Sequence, residues 1–234
     1  MIPVDFEKKW VYRFSNPPSV EQSLVRQFFG NKTGFYVDVG ANHPAIDSQT
    51  LHLEEIGWNG LLLEPLPAYC EMLRKERRGT VVQCACSSPE NHGRRLRMIS
   101  AGVHSTLNPS PIALGAESTE VMEVECRTLD SILQEHDVQP GFEFISIDIE
   151  GHEMEMFRGF ALRKWKPALV LLEDHVVSHE KHRHMVSNGY SLILRTGLNS
   201  WYVQDVYGFS IGARFERFRK YWLGLPFRKM RYSR

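Results

Sequence analysis

Apolar residues in this chain fall into short runs, each closed by a carboxylate, a glycine or a proline. Residues 35–39, 61–64, 80–86, 142–149 and 168–172 are near-continuous apolar runs of strand length, the pattern of strands buried on both faces. Helical spacing fills the gaps: 48–56 stopped by Gly57, 67–78 stopped by Gly79, a segment capped by Thr128 or Asp130 and running to His136, a segment from Glu153 to Phe160, and 178–187 stopped by Asn188-Gly189. Strand and helix in alternation predict a parallel sheet with right-handed crossovers. Residues 190–195 and 201–204 flank Gly197-Leu198-Asn199 and predict an antiparallel hairpin that closes the sheet. Ahead of the first strand, 19–29 predicts a short helix closed by Gly30, with Leu24, Val25, Phe28 and Phe29 on its apolar side.

The alternation breaks between 90 and 120, where Gly93, Gly102, Pro109, Pro111 and Gly115 interrupt every period. A short hairpin over 94–99 and a loop with Val103-His104-Ser105-Thr106 are expected here, as a lid over the ligand edge. The chain thus divides into an N-terminal extension (1–33), an α/β domain (34–206) with the lid-like insertion, and a tail (207–234).

At 234 residues the chain can bury one substantial core. Its formal net charge is zero, so overall charge does not point to nucleic acid. The tail differs: from Arg214 to Arg234 there are eight Lys or Arg and one acid, Glu216, interleaved with aromatics such as Phe218, Tyr221 and Trp222. That suits peripheral contact with an anionic membrane surface or a lipid-linked acceptor, and equally a helix that packs its aromatics and exposes its arginines. The four cysteines make no C-x-x-C pair or zinc spacing and read as buried reduced thiols of a reducing compartment. Residues 1–10 lack the apolar segment of a signal peptide, and no run has membrane-spanning length, so a cytoplasmic chain, peripheral at most at the inner membrane face, is expected.

Four of the runs end in a carboxylate: Asp38, Glu64, Asp148 and Glu173. A parallel sheet puts these ends on one edge, where they raise each other's pKa unless a partner satisfies them. A ligand with a cationic centre and a ribose diol is such a partner. Strand, glycine turn and helix around Asp38-Val39-Gly40-Ala41-Asn42 place a ligand at that edge, with Gly40 permitting close backbone approach. Glu64, 26 residues after Asp38, stands where nucleotide-binding sheets hold ribose hydroxyls. A nicotinamide enzyme wants G-x-G-x-x-G, whereas Gly40 is followed by Asn42-His43-Pro44. A cofactor with a ribose but no pyrophosphate, S-adenosylmethionine, fits better.

Asp38-Val39-Gly40-Ala41-Asn42, Trp58-Asn59-Gly60 before Leu63-Glu64-Pro65, Arg127-Thr128-Leu129-Asp130, and Ile147-Asp148-Ile149-Glu150-Gly151-His152-Glu153 together resemble the FkbM family of S-adenosylmethionine-dependent methyltransferases, over about residues 34–202. The resemblance implies the class I, Rossmann-like α/β fold, with a seven-stranded mostly parallel sheet and an antiparallel closing hairpin. It implies methyl transfer to a hydroxyl of a carbohydrate or, alternatively, a polyketide or macrolide. Among members the motifs look most like rhizobial enzymes that 2-O-methylate fucose on lipo-chitooligosaccharides. The cofactor-binding set is then Asp38, Gly40, Asn42, Glu64, Pro65, Ala85, Cys86 and Asp148. Two departures stand out: Pro44 replaces a glycine common in the family, and Cys84-Ala85-Cys86-Ser87 lacks the acid that often holds adenine, leaving backbone groups of Ala85 and Cys86 to read the base.

A sugar hydroxyl is a weak nucleophile, so a general base is useful. His152 and His175 are the candidates, with Asp148 and Glu173 as orienters and Glu150 and Glu153 bracing the turn through backbone amides. His104, Ser105 and Thr106 are placed against the small-molecule or glycolipid acceptor. No metal is assigned, although Asp148, Glu150, Glu173 and His175 are all possible ligands of a divalent cation. A nicotinamide oxidoreductase and a catalytically silent membrane-binding module are the competing readings.

Overall fold

The computed structural model describes residues 18–100, 107, 120–174, 179–196 and 198–204. In chain order the elements are α1 (Pro18–Phe29), β1 (Phe35–Val39), α2 (Leu51–Glu54), β2 (Asn59–Glu64), α3 (Pro67–Glu76), β3 (Thr80–Gln83), β4 (Ala85–Cys86), a 3-10 turn (Pro89–Asn91), β5 (Arg95–Ser100), β6 (Glu120–Arg127), α4 (Leu129–Glu135), β7 (Phe144–Ile147), α5 (Glu153–Arg158), α6 (Leu162–Trp165), β8 (Leu169–Glu173), α7 (His179–Ser187), β9 (Tyr190–Thr196) and β10 (Asn199–Gln204). One sheet has the order β3-β2-β1-β7-β8-β10-β9. Its strands from β3 to β8 pair in parallel, and β10 is antiparallel to both β8 and β9. This is the expected Rossmann-like class I fold with its closing hairpin.

Strand periodicity sorts the core into two layers. Val37, Val39, Leu61, Leu63, Ile145 and Ile147 face a layer with Leu129, Ile132, Phe157 and Trp165 from α4, α5 and α6. Tyr36, Leu62, Phe144 and Leu171 face the other way, against Leu24 and Val25 of α1, Leu53 of α2 and Leu73 of α3. The apolar side assigned to α1 is therefore the side that packs.

Several boundaries move for physical reasons. The strand expected over 80–86 is split at Cys84. Pairing of β2 with β3 ends at Glu64 and Gln83, and Pro65 removes the next ladder donor. The chain peels away, and β4 pairs in parallel with β6 in a second, three-stranded sheet. Residues 94–99 do not form a hairpin of their own; β5 is one strand, antiparallel to β6. The helix expected over 48–56 contracts to Leu51–Glu54, because residues 44–50 are held in irregular conformation by Arg77, described below. Thr128, not Asp130, caps α4 by accepting from the Ser131 N–H at 3.3 Å. Asp130 instead accepts from the Ala161 N–H and Trp165 Nε1, pinning α6, which sequence periodicity had not revealed. All four cysteines are buried and free. No helix among the described residues is long and apolar enough to cross a membrane. The tail and most of the proposed lid lie outside the described residues.

Candidate functional site

The chain leaves β1 toward β2 and β3, then returns to build β7 and β8 on the other side. That reversal opens a crevice at the carboxyl ends of the strands. A cavity of about 240 Å³ lies there, and Asp38, Glu64, Asp148 and Glu173 all line it. No lysine or arginine is found among its described lining residues.

The turn after β1 forms one wall. Gly40 and Ala41 N–H groups donate to the Leu63 carbonyl at 2.9 and 3.1 Å, and Asn42 N–H donates to Glu64 Oε2 at 2.9 Å. Three successive amides are thus committed to the end of β2, which leaves none of them to cradle a pyrophosphate. Gly40 is required for a different reason than ligand approach. Its φ is +87°, and an added Cβ would lie 1.9 Å from the Asp148 carbonyl oxygen. Asn42, Asp47 and Glu150, three non-glycine residues with positive φ, all line the cavity. Left-handed backbone gathered around one cavity is characteristic of over-determined functional loops.

Asp38 is buried and its Oδ2 accepts from Thr50 Oγ1 at 2.6 Å. Burial holds its pKa above the usual range, against the opposing effects of Thr50 and Arg77. Arg77, at the end of α3, is buried too. It donates to Thr50 Oγ1, Ser48 Oγ and the Pro44 carbonyl, and pairs with Glu54 at 3.0 Å. The departure at Pro44 therefore sits in a loop clasped by a buried guanidinium. Ser146, paired in register with Asp38, also lines the cavity.

Glu64 closes the floor. Oε1 accepts from the Leu66 N–H at 2.8 Å and Oε2 from Asn42, yet burial raises its pKa to about 7. Pro65, Ala85 and Cys86 line the cavity beside it. Leu66, Ala85, Met98 and Leu107 give this end an apolar surface, continuous with the small cluster under the second sheet.

On the opposite side, Asp148, Glu150 and Glu173 bring carboxylate oxygens within 4.8 Å of one another. Burial and the neighbouring Glu173 push the Asp148 pKa well up, and burial raises Glu173 to about 7. The Asp148 and Glu173 carboxyl groups lie close enough that ionisation of one opposes ionisation of the other. This oxygen set has the chemistry to accept a divalent cation or a proton. Glu153 braces the turn as expected: its Oε1 accepts from the Gly151 N–H at 3.1 Å. Its Oε2 pairs with Lys181 at 2.7 Å, and Lys181 also donates to the Glu173 carbonyl.

His152 lines the cavity but is not paired with Asp148. Its Nε2 is 3.0 Å from Ser87 Oγ, which also accepts from Asn91 Nδ2 at 2.9 Å. Ser87 thus holds the ring, from 65 residues away along the chain. Burial lowers the His152 pKa, so the ring is neutral at pH 7. The structure thus brings Asp38, Gly40, Asn42, Glu64, Pro65, Ala85, Cys86, Asp148, His152 and Glu173 to one cavity. His104, Ser105, Thr106 and His175 lie outside the described residues.

The fold, with its cavity at the switch point, is that of a class I methyltransferase domain. The family model of the methyltransferase FkbM domain matches residues 38–192, and the chain belongs to that family. Among solved structures, it is similar to the methyltransferase FkbM from Methylobacillus flagellatus KT at 16% identity and a TM-score of 0.46, covering 73% of this chain and 43% of that one. It is similar also to the precorrin-6y C5,15-methyltransferase from Geobacter metallireducens GS-15 at 14% identity and a TM-score of 0.41, covering 80% of this chain and 85% of that one. No curated protein matches the chain.

Proposed function

We propose that this protein is an S-adenosylmethionine-dependent O-methyltransferase acting on a carbohydrate hydroxyl. One observation carries the reading: four strand-end carboxylates converge on a cavity whose described wall has no lysine or arginine. Such a wall suits a ligand that is cationic and rich in hydroxyl donors, and disfavours phosphates. The residues fit the cofactor. Each Glu64 oxygen has one backbone donor and room for a ribose hydroxyl, and the Asn42 Oδ1 is buried without a donor. S-adenosylmethionine supplies a methyl group on a positively charged sulfur.

Glu64 holds the ribose, the Ala85–Cys86 backbone and the apolar end hold the base, and the ionised carboxylate of the Asp148–Glu173 pair takes the proton of the acceptor hydroxyl. Ser87 fixes the ring of His152 beside that pair. Calorimetry with S-adenosylhomocysteine tests the cofactor half, and absence of binding ends the proposal. Transfer of labelled methyl to a panel of fucosylated glycans, lipo-chitooligosaccharides and macrolides tests the acceptor half. Labelling of macrolides alone replaces the carbohydrate by a polyketide hydroxyl.

A further inference from the structure

Helix α1 lies outside the family-matched segment and holds one residue of the cavity wall, Gln49, from behind. Its Glu21 is buried and accepts from three side chains: Thr196 Oγ1, Asn199 Nδ2 at 3.1 and 2.9 Å to its two oxygens, and Gln49 Nε2 at 2.9 Å. Gln22 Nε2 donates to the Ser48 carbonyl at 2.8 Å, and Arg26 donates to the His52 carbonyl at 3.0 Å, so the seam between α1 and 48–52 is continuous.

A carboxylate can only accept, so Glu21 takes the NH₂ end of Gln49 and fixes which way that amide faces. The other end, Gln49 Oε1, is buried without a donor, and Gln49 belongs to the cavity wall. Asn42 Oδ1 is in the same condition in the same wall, held by a left-handed backbone and by its N–H bond to Glu64. A buried acceptor with no donor is destabilising, so two in one cavity call for a ligand that brings several donors. The nearby carboxylates Asp38 and Asp47 favour a positive one. A primary ammonium, with three N–H donors and no acceptor, is the matching group.

We propose that Gln49 Oε1 and Asn42 Oδ1 form the subsite for the primary ammonium of the cofactor's amino-acid part, and that Glu21 is the positioning residue that sets the subsite by orienting Gln49. This rests on the cofactor reading above. It gives α1 and the β9–β10 hairpin a part in ligand selection.

Calorimetry on the full chain with S-adenosylhomocysteine, its desamino analogue and 5′-methylthioadenosine separates the possibilities. The wild type should bind S-adenosylhomocysteine about tenfold or more tightly than the desamino analogue. Gln49→Leu should weaken S-adenosylhomocysteine by about tenfold and leave the other two within about twofold. Glu21→Gln should act in the same direction. If a melting curve shows that it does not fold, Glu21→Asp, which keeps an acceptor at shorter reach, takes its place with the same expectation. Equal weakening of all three ligands by Gln49→Leu means that the amide holds the ribose instead, and overturns the proposal. So does no weakening at all. Undiminished discrimination in the residue 21 variant overturns the role of Glu21. A wild type that binds none of the three ligands overturns the cofactor reading itself.

Discussion

Thr50 Oγ1 stands between Arg77 and Asp38, accepting from the guanidinium at 2.8 Å and donating to the carboxylate at 2.6 Å. A buried cation thus acts on the strand-end acid through a hydroxyl. Arg77 also satisfies Pro44, Ser48 and Glu54. Removing it leaves Glu54 buried with its charge only partly compensated. Arg77→Met should cost about 3–5 kcal/mol in urea unfolding, the usual result of breaking a buried pair by deleting one partner. Arg77→Lys restores the charge but not the planar fork that reaches several acceptors, so it should recover only part of the loss. A Met variant within about 1 kcal/mol of wild type would show that the loop is held by other contacts.

Gly40 and Gly141 share a left-handed backbone, with φ of +87° and +88°. They differ in surroundings. A Cβ at Gly40 would meet the Asp148 carbonyl oxygen at 1.9 Å, whereas one at Gly141 meets nothing within 4 Å. Asp148 cannot yield easily, because its N–H is bonded to the Val39 carbonyl. Gly141→Ala should cost only the backbone penalty, about 1–2 kcal/mol. Gly40→Ala should cost at least about 2 kcal/mol more, or prevent folding. Equal melting shifts for the two variants would contradict the close approach of β1 and the turn after β7.

Burial raises the pKa of Glu64 from 4.5 to about 7, overcoming the two backbone N–H bonds that lower it. Between those values the folded chain holds the proton more tightly than the unfolded one. The contribution of Glu64 to stability is therefore full below about pH 4.5 and is lost as pH rises through about 7. Unfolding of wild type and Glu64→Gln, compared across that window, should diverge by roughly 2–3 kcal/mol, with the wild type falling relative to the variant as pH rises. Ligand binding has the opposite slope. Hydroxyl donors prefer the carboxylate, so S-adenosylhomocysteine affinity should rise about tenfold from pH 6 to pH 8, and Glu64→Gln should flatten the rise. A flat wild-type profile would remove Glu64 from the ligand contacts.

The parts of the site set by local pattern were legible in the sequence. Residues 35–39 formed a strand with the expected ends, and Asp38, Glu64, Asp148 and Glu173 met at one edge because a parallel sheet allows little else. The parts set by long-range geometry were not. Arg77 looks like any charge of a helix that also carries Arg74, Lys75, Glu76 and Arg78. Ser87, Gln49 and Glu21 act through partners 65, 28 and 175 residues away. Ser146 is one small polar residue in an apolar run, and only the register with Asp38 makes it part of the site. Gly40 stands out in the sequence as a place where a ligand can approach the backbone, whereas the atom that demands a glycine there is the Asp148 carbonyl oxygen at another strand's end.

Among the described residues the proton of the acceptor hydroxyl has two candidate destinations, and their surroundings differ. His152 is buried, neutral at pH 7, and held by Ser87. Asp148 opens into the cavity beside Glu173, whose pKa is raised to about 7. A base works best when its pKa lies near the working pH, which favours the carboxyl pair over an imidazole whose pKa has been lowered. Asp148→Asn should therefore reduce kcat by about 10²–10⁴, the span of general-base effects, while His152→Ala should reduce it by less than about tenfold. Both variants are first titrated with S-adenosylhomocysteine, so that a loss of turnover is not confused with a loss of cofactor. The pH profile gives an independent reading, because wild-type kcat should rise toward pH 7 as Glu173 ionises, and His152→Ala should keep that rise. If instead His152→Ala loses more turnover than Asp148→Asn and its profile goes flat, the imidazole is the base and Ser87 its orienter.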